Sequence, residues 1–192
     1  MPAHHPSPTD PSLTVEDVDA TLHRLATLRN RHESMLLGWL LRGAQMGVWR
    51  VHGYASMREY GERLFGFSGR GVEDRLRVAR ALGDLPRLRE RFAAGALVYT
   101  VVRELCRVVT PETEEVWLAA VEGQTCTAVQ RMVAGREEGA LPTDPVDEDL
   151  VPKRVTLTLS VGCVCATEAA RSKAIRDAGI TWTTRRSSGR RC

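Results

Sequence analysis

Residues 56–82 read SMREYGERLFGFSGRGVEDRLRVARAL, and this stretch decides the local fold of the chain. Ser56 with Glu59 three residues later is a capping box, which predicts a short helix over 57–65 that the next glycine ends. Ser68 is a second N-cap residue, and the apolar positions after it recur at helical spacing. The sequence therefore predicts two helices joined by a tight turn, and the apolar side of the second one consists of Val72, Leu76, Val78, Ala79 and Leu82.

Upstream of this pair the sequence predicts one long helix over 15–47. Thr14 and Asp17 resemble a capping box at its start. Because the predicted helix is longer than is usual in globular proteins, we expect it to pack along several partners or to form the seam of a homodimer. Its apolar positions recur at helical spacing and comprise Val15, Val18, Leu22, Leu25, Leu28, His32, Met35, Leu36, Trp39 and Leu40.

Downstream, four more helices are predicted from caps, first-turn prolines and terminating glycines. The fold class is therefore all-α, a multi-helix orthogonal bundle with one long N-terminal helix. The predicted helices run from Pro86 to Ala94, over 98–109, from Thr110-Pro111 to Gly123, and from Thr125 or Thr127 to Val133.

The rest of the chain is divided by composition and periodicity. A polar, Pro-rich start predicts a disordered N-terminus, and an acidic stretch with two prolines predicts a linker. Strict alternation of apolar and polar residues predicts one isolated strand. The predicted order is a disordered N-terminus over 1–13, a helical domain over 14–135, an acidic linker over 136–152, a strand over 153–160 and a disordered tail over 161–192.

The net charge of +3 is unevenly distributed. Residues 1–160 hold 20 Lys and Arg against 22 Asp and Glu, whereas residues 161–192 hold 7 against 2. Net charge is thus no argument for nucleic-acid binding by the predicted helical domain, and only a local patch supports it. No long apolar run and no signal-like start are present, so we expect a soluble, cytoplasmic protein with no membrane partner.

One such patch is the arginine-rich stretch from Ser68 to Arg91. A short helix, a tight turn and a second helix resemble a helix-turn-helix, whose second helix places its N-terminal residues on DNA. Arginines can pair there with phosphates or with guanine edges. The alternative is a solvated arginine face paired with the acids between. The candidate DNA-binding residues are Arg70, Arg75, Arg77, Arg80 and Arg87.

The chemistry of metal-assisted nucleases of the HNH type is not visible in the sequence. Such a site needs histidines as base and ligand and an asparagine. All five histidines precede residue 53, and Asn30 is the only asparagine. The five cysteines form no C-x-x-C pair, and no phosphate-loop or nucleophile-elbow motif occurs. We therefore expect no catalytic residues, no metal and no cofactor.

Three motifs in fixed order carry a family resemblance: GYASMREYGERLFGFS at 53–68, RLRVARALGDLP at 75–86 and VTPETE at 109–114. Over about residues 14–160 the chain resembles the helical domain of unknown function that precedes HNH endonuclease domains, including the mycobacterial thirteen-E-twelve repeat family. The resemblance implies a helical domain beside a nuclease domain. None of the nuclease positions has a counterpart here, so no catalytic residue is carried over.

The tail suggests a reason for this difference from the family. When Ile180 to Ser188 is back-translated with GC-rich codons, a shifted frame resembles the connector of the family. We hypothesise that a frameshift after Ser160 made residues 161–192 an out-of-frame translation. The nucleotide sequence downstream of Cys192 tests this, because an HNH reading frame out of phase is expected there.

Two functions from different classes follow from these patterns. The first is a non-catalytic, nucleic-acid-associated helical module, a truncated relative of HNH endonuclease-type proteins. The alternative is a protein interaction or homodimerisation module with the predicted helix over 15–47 as its seam. A third interpretation, an active HNH-type endonuclease, is disfavoured by the missing nuclease residues.

Overall fold

The computed structural model describes residues 7–147, and within that range the chain is all-helical, as predicted. The predicted strand over 153–160 and tail over 161–192 lie outside the described residues, as do residues 1–6. The orthogonal arrangement of the helices stays a prediction. The eight helices of the described part are α1 Val15–Met46, α2 Val48–Val51, α3 Met57–Phe65, α4 Gly69–Ala81, α5 Pro86–Ala93, α6 Tyr99–Leu105, α7 Glu114–Ala120 and α8 Cys126–Val133.

Four of the eight helices in the described part are capped by a side chain that lies within a few residues of the helix start. The Thr14 hydroxyl accepts from the Asp17 N–H, and the Asp17 carboxylate accepts from the Thr14 N–H, so the predicted capping box of α1 is present. Serine or threonine hydroxyls also cap α3, α4 and α8, but the Glu59 carboxylate accepts from the Ala55 N–H instead of the Ser56 N–H, so only half of the capping box predicted for α3 is present. These caps are Ser56 on the Glu59 N–H, Ser68 on the Gly71 N–H and Thr125 on the Ala128 N–H.

Two predicted boundaries near residue 110 are wrong. The helix predicted over 98–109 ends as α6 at Leu105, and the following turn buries Val108 and Val109 in the core. The helix predicted from Thr110-Pro111 begins only at Glu114, because the Thr110 N–H donates to the Thr113 hydroxyl and closes a turn instead. Tertiary burial and a side-chain hydrogen bond thus outweigh the local helix signals.

The main core lies between α4, α5, α6, α7, α8 and the C-terminal half of α1. Trp117 of α7 and Phe92 of α5 are its largest fully buried side chains. A smaller cluster, which comprises Leu40, Met57, Val72 and Leu76, joins α1 to α3 and α4. The α3–α4 pair is therefore held on α1 by apolar packing.

The first half of α1 leaves the folded body. From residue 27 onward the helix is attached: the Asn30 side-chain amide donates to the Gly95 carbonyl (3.1 Å), and Arg31 donates to the Ala94 carbonyl (3.0 Å). A Cβ at Gly95, whose φ is +82°, would lie 2.7 Å from the Thr27 carbonyl oxygen, so this close approach requires glycine. Residues 15–26, by contrast, are exposed except for a partly buried Thr21.

The apolar positions predicted for α1 are helical, but most of them do not face the core. Of the ten, only Leu40 is buried and Leu36 partly so, whereas Leu37, absent from that set, is fully buried. The other eight lie on the solvent side of the helix or on its projecting half. Periodicity identified the helix correctly without identifying which face the domain covers.

The segment after α8, predicted as the start of a linker, is hydrogen bonded to the helical body as far as it is described. The Trp117 indole N–H donates to the Ala140 carbonyl (2.9 Å), and the Gly139 N–H donates to the Val108 carbonyl (2.8 Å). Arg136 donates to the Leu141 carbonyl (3.1 Å) and to two further carbonyls, those of Pro142 and Asp144. Packing therefore continues past the predicted domain boundary at 135.

Candidate nucleic-acid interface

The helix pair α3 and α4 has the elements predicted for a helix-turn-helix. Gly66 ends α3 with a φ of +68°, which glycine adopts without strain, and α4 begins three residues later. The two helices approach closely, since a Cβ at Gly61 would lie 2.9 Å from the Val72 Cγ2 atom. The turn is thus short and its helices are in direct contact.

Arg75, one of the candidate DNA-binding residues, is engaged inside the protein. Its Nε atom lies 2.7 Å from a carboxylate oxygen of Glu33 on α1. Its guanidinium lies 3.8 Å from the ring centroid of Phe67 and 4.6 Å from that of Tyr99. Its side chain is only 16% exposed. We assign Arg75 to positioning, because it ties the turn before α4 to α1 and α6 through an ion pair and cation–π contacts.

Three other candidates share one solvent-facing side of α4. Arg70, Arg77 and Arg80 are seven and three residues apart, spacings that place side chains on the same helical face. Arg70 and Arg80 are exposed, and among residues 7–147 neither has an ion pair. Arg77 is partly exposed and lies 4.0 Å from Asp74. We call these three residues the arginine face.

The acidic residues of α4 do not cancel the positive charge of the arginine face. Glu73 pairs with Arg58 of α3 at 3.3 Å, and Asp74 is the weak partner of Arg77. The helix itself carries four arginines and two acids. Its exposed side therefore keeps a positive balance.

Arg87, the fifth candidate, lies on a different helix. It is in α5, and its guanidinium forms an ion pair with Glu115 of α7. Both side chains are exposed, so the pair contributes little to stability, but it offsets the charge of Arg87. The structure thus brings Arg70, Arg77 and Arg80 together and leaves Arg75 and Arg87 outside that group.

The sequence did not single out two further cations: Arg103 of α6, whose charge interacts with that of Asp74 on α4, and Arg107, which lies in the turn after α6. Arg103 and Arg107 donate to opposite oxygens of Glu104 at 2.8 and 3.0 Å. Burial by itself raises the pKa of Glu104, but these hydrogen bonds outweigh it and hold the pKa below its usual value. Two guanidiniums on one carboxylate leave an excess positive charge. Because Arg103 lies far from α4 along the chain, the sequence did not show that it is near α4 in the fold.

Cys106, next to this pair, is expected to be unreactive in the native protein. Burial raises the pKa of its thiol to about 12, although the charge of Arg77 acts in the opposite direction. Because only the thiolate reacts, iodoacetamide at pH 8 should leave Cys106 unmodified until urea unfolds the domain. Peptide mass spectrometry measures this, and equal labelling rates in native and unfolded protein would contradict it.

Three of the histidine and asparagine side chains, the types that an HNH site needs, are engaged in other contacts. Asn30 links α1 to the loop after α5, His23 lies 3.6 Å from Asp19, and the His52 ring stacks on that of Tyr60. Within residues 7–147 no group of three or more His, Cys, Asp or Glu side chains is arranged to hold a metal ion. In the same range no helix has both the length and the apolarity to cross a bilayer.

Comparisons of this chain with protein families, with curated proteins and with solved structures found no match. The resemblance to the helical domain that precedes HNH endonucleases therefore stays a prediction from three sequence motifs. Support for a function comes instead from the geometry of α3, α4 and α6.

Proposed function

We propose that this chain is a non-catalytic helical module that binds duplex nucleic acid through the arginine face of α4. The observation that carries the proposal is the pair of exposed cations Arg70 and Arg80, which have no ion-pair partner among residues 7–147. They share one helical face with Arg77 directly after a tight turn. Arg103 of α6 adds positive charge near it, and Arg107 in the turn after α6 shares the Glu104 carboxylate with Arg103.

The chemistry of this face suits phosphate groups spaced along a nucleic-acid backbone. Guanidinium groups form planar, two-pronged hydrogen bonds with phosphate oxygens. From Arg70 to Arg80 the helix rises about 15 Å, comparable to the roughly 12 Å width of the major groove. Arg70 is the second residue of α4, the part of a recognition helix that faces the bases.

The sequence motifs support the same context. The resemblance to a helical domain that precedes HNH nuclease domains places such a module beside enzymes acting on DNA. We propose a cytoplasmic protein of that family that serves DNA association rather than cleavage.

Binding to a duplex of about 20 base pairs, measured by fluorescence anisotropy from about 50 to 200 mM KCl, tests the proposal. We expect affinity to fall steeply with salt, because each neutralised phosphate releases counterions. The double variant Arg70→Gln/Arg80→Gln should bind roughly tenfold more weakly for each arginine replaced. The slope of the logarithm of the affinity against the logarithm of the salt concentration should be smaller by about 2.

A second double variant, Arg87→Gln/Arg89→Gln, is the matched control. It removes two positive charges from α5, where Arg87 is already paired with Glu115, and should bind like the unmodified chain. Equal weakening in both variants, or no salt-dependent binding at all, would contradict the assignment to α4. Cleavage of DNA in Mg²⁺ or Mn²⁺ that disappears when one residue of this chain is replaced would contradict the non-catalytic role.

A further inference from the structure

The projecting half of α1 carries apolar side chains that no described part of the chain covers. Residues 15–26 amount to about three turns, and an isolated helix of this length is marginal in water. Seven apolar side chains between 15 and 39 are 45–80% exposed. With His32, which lies among them, we call this set the exposed stripe: Val15, Val18, Leu22, Leu25, Leu28, His32, Met35 and Trp39.

The spacing of the stripe is that of a helix–helix seam. Its members follow one another in steps of three or four residues, about 3.4 on average, which is shorter than the 3.6 residues of a helical turn. A stripe of this period drifts slowly around the helix and is followed best by a second helix in a left-handed supercoil. The stripe therefore fits a helical partner better than a flat surface.

We propose that the exposed stripe is the seam of a homodimer in which α1 of a second copy lies antiparallel, centred on Leu25. From Val15 to Met35 the steps read 3, 4, 3, 3, 4, 3, and this order is the same in both directions. A two-fold interface requires such self-complementarity. Each member from Val15 to Met35 then meets another member, whereas Trp39 lies beyond this paired stretch.

With Leu25 at the centre, the side chains that face each other across the seam follow directly. Leu25 meets Leu25 of the second copy, and Leu22 meets Leu28. Val15 meets Met35 at either end, and Val18 meets His32. Over these 21 residues the helix is about 30 Å long, and two such faces about 10 Å wide cover roughly 600 Å² in total, which is below the about 1,200 Å² of standard stable interfaces and corresponds to a weak dimer.

Charge selects the antiparallel orientation. The start of α1 is acidic, with Glu16, Asp17 and Asp19, whereas Arg29 and Arg31 lie beyond the centre. In the antiparallel register Asp19 is opposite Arg31 of the second copy, and Asp17 is opposite Glu33, whose carboxylate is already paired with Arg75. A parallel pair would place the acidic ends side by side, which like-charge repulsion disfavours.

Sedimentation equilibrium of the full chain from about 1 to 100 µM is the experiment. We expect a monomer–dimer equilibrium, and Leu25→Glu should raise the dissociation constant at least about 100-fold by placing two carboxylates at the two-fold axis. Ala20→Glu is the matched control, because it adds the same charge to the same exposed half of α1 but away from the stripe. It should dimerise like the unmodified chain, and circular dichroism checks that both variants stay helical.

Disulfide formation distinguishes the orientations. Leu25→Cys should form a dimer band on a non-reducing gel that the unmodified chain lacks, whereas Val15→Cys should not, because its two copies would be about 30 Å apart. The reverse result would overturn the antiparallel arrangement. A monomer at 100 µM, or a dimer unaffected by Leu25→Glu, would overturn the proposal. Dimerisation that appears only after residues 148–192 are removed would also overturn it, since that segment, and not a second copy, would then cover the exposed stripe in the full chain.

Discussion

Replacing Trp117 by alanine is expected to lower the free energy of unfolding by about 3–5 kcal/mol, the largest effect of any single change proposed for this chain. The indole is fully buried in the main core, so its loss leaves a large cavity. Its N–H also donates to the Ala140 carbonyl, which ties the segment after α8 to the helices. Urea unfolding followed by circular dichroism at 222 nm measures the change.

Val116→Ala is the control for this prediction. Val116 precedes Trp117 on the same helix and is 46% exposed, so its truncation should change stability by no more than about 0.5 kcal/mol. Because small domains are stable by only about 5–15 kcal/mol, a loss of about 3–5 kcal/mol in the tryptophan variant is a large fraction of the total stability. Similar unfolding midpoints for the two variants would show that the core is not centred on Trp117.

Glu114→Ala is expected to cost about 2–3 kcal/mol, the second largest effect. Glu114 is only 2% exposed, and its carboxylate accepts the backbone N–H of Leu88 at 2.6 Å. This N–H belongs to the first turn of α5, whose N-cap residue Leu85 has no side chain that could cap it. Glu114 therefore caps a helix from 26 residues away, and alanine would leave a buried donor without an acceptor.

Glu115→Ala provides a matched control for the loss of one carboxylate. Its side chain is exposed and its ion-pair partner among the described residues is the exposed Arg87, so a cost below about 1 kcal/mol is expected. The stability cost of Glu114→Gln should lie between those of Glu114→Ala and Glu115→Ala, because an amide oxygen still accepts a hydrogen bond but carries no charge. Chemical denaturation of the three variants gives the order, and equal costs at 114 and 115 would show that the cap contributes nothing.

The two functional proposals concern different surfaces and can fail independently. The arginine face lies on α4, whereas the exposed stripe lies on α1. Arg70→Gln/Arg80→Gln should therefore weaken nucleic-acid binding without changing the monomer–dimer equilibrium. Leu25→Glu should abolish the dimer while each monomer keeps its arginine face. Measuring both properties on both variants separates the proposals.

The start of each helix could be predicted where its cap is local. Ser56, Ser68 and Thr14 each accept a backbone N–H three residues later, and the predicted starts of α1, α3 and α4 are correct. At α7 the prediction was wrong, because Thr110 closes a turn with Thr113 instead of capping the helix. Prediction was therefore best where one hydrogen bond within a single turn decides the outcome.

The candidate site was predicted less completely. Arg70, Arg77 and Arg80 share an exposed face, as helical spacing suggests, but Arg75 on the same helix is held by Glu33, Phe67 and Tyr99. The sequence shows an arginine at each position and does not show which one meets a carboxylate 42 residues away. For the same reason Arg103 was not foreseen near α4.

The sequence by itself determined that the described part of this chain is helical, where α1, α3 and α4 begin, and that the residue types of an HNH site are missing from its C-terminal part. Only the tertiary structure decided which apolar residues form the core and which arginines face solvent. Within residues 7–147 it also leaves residues 15–26 of α1 exposed, except for a partly buried Thr21. Caps and periodicity act within a few residues, whereas burial depends on segments far apart in the chain that meet only after folding.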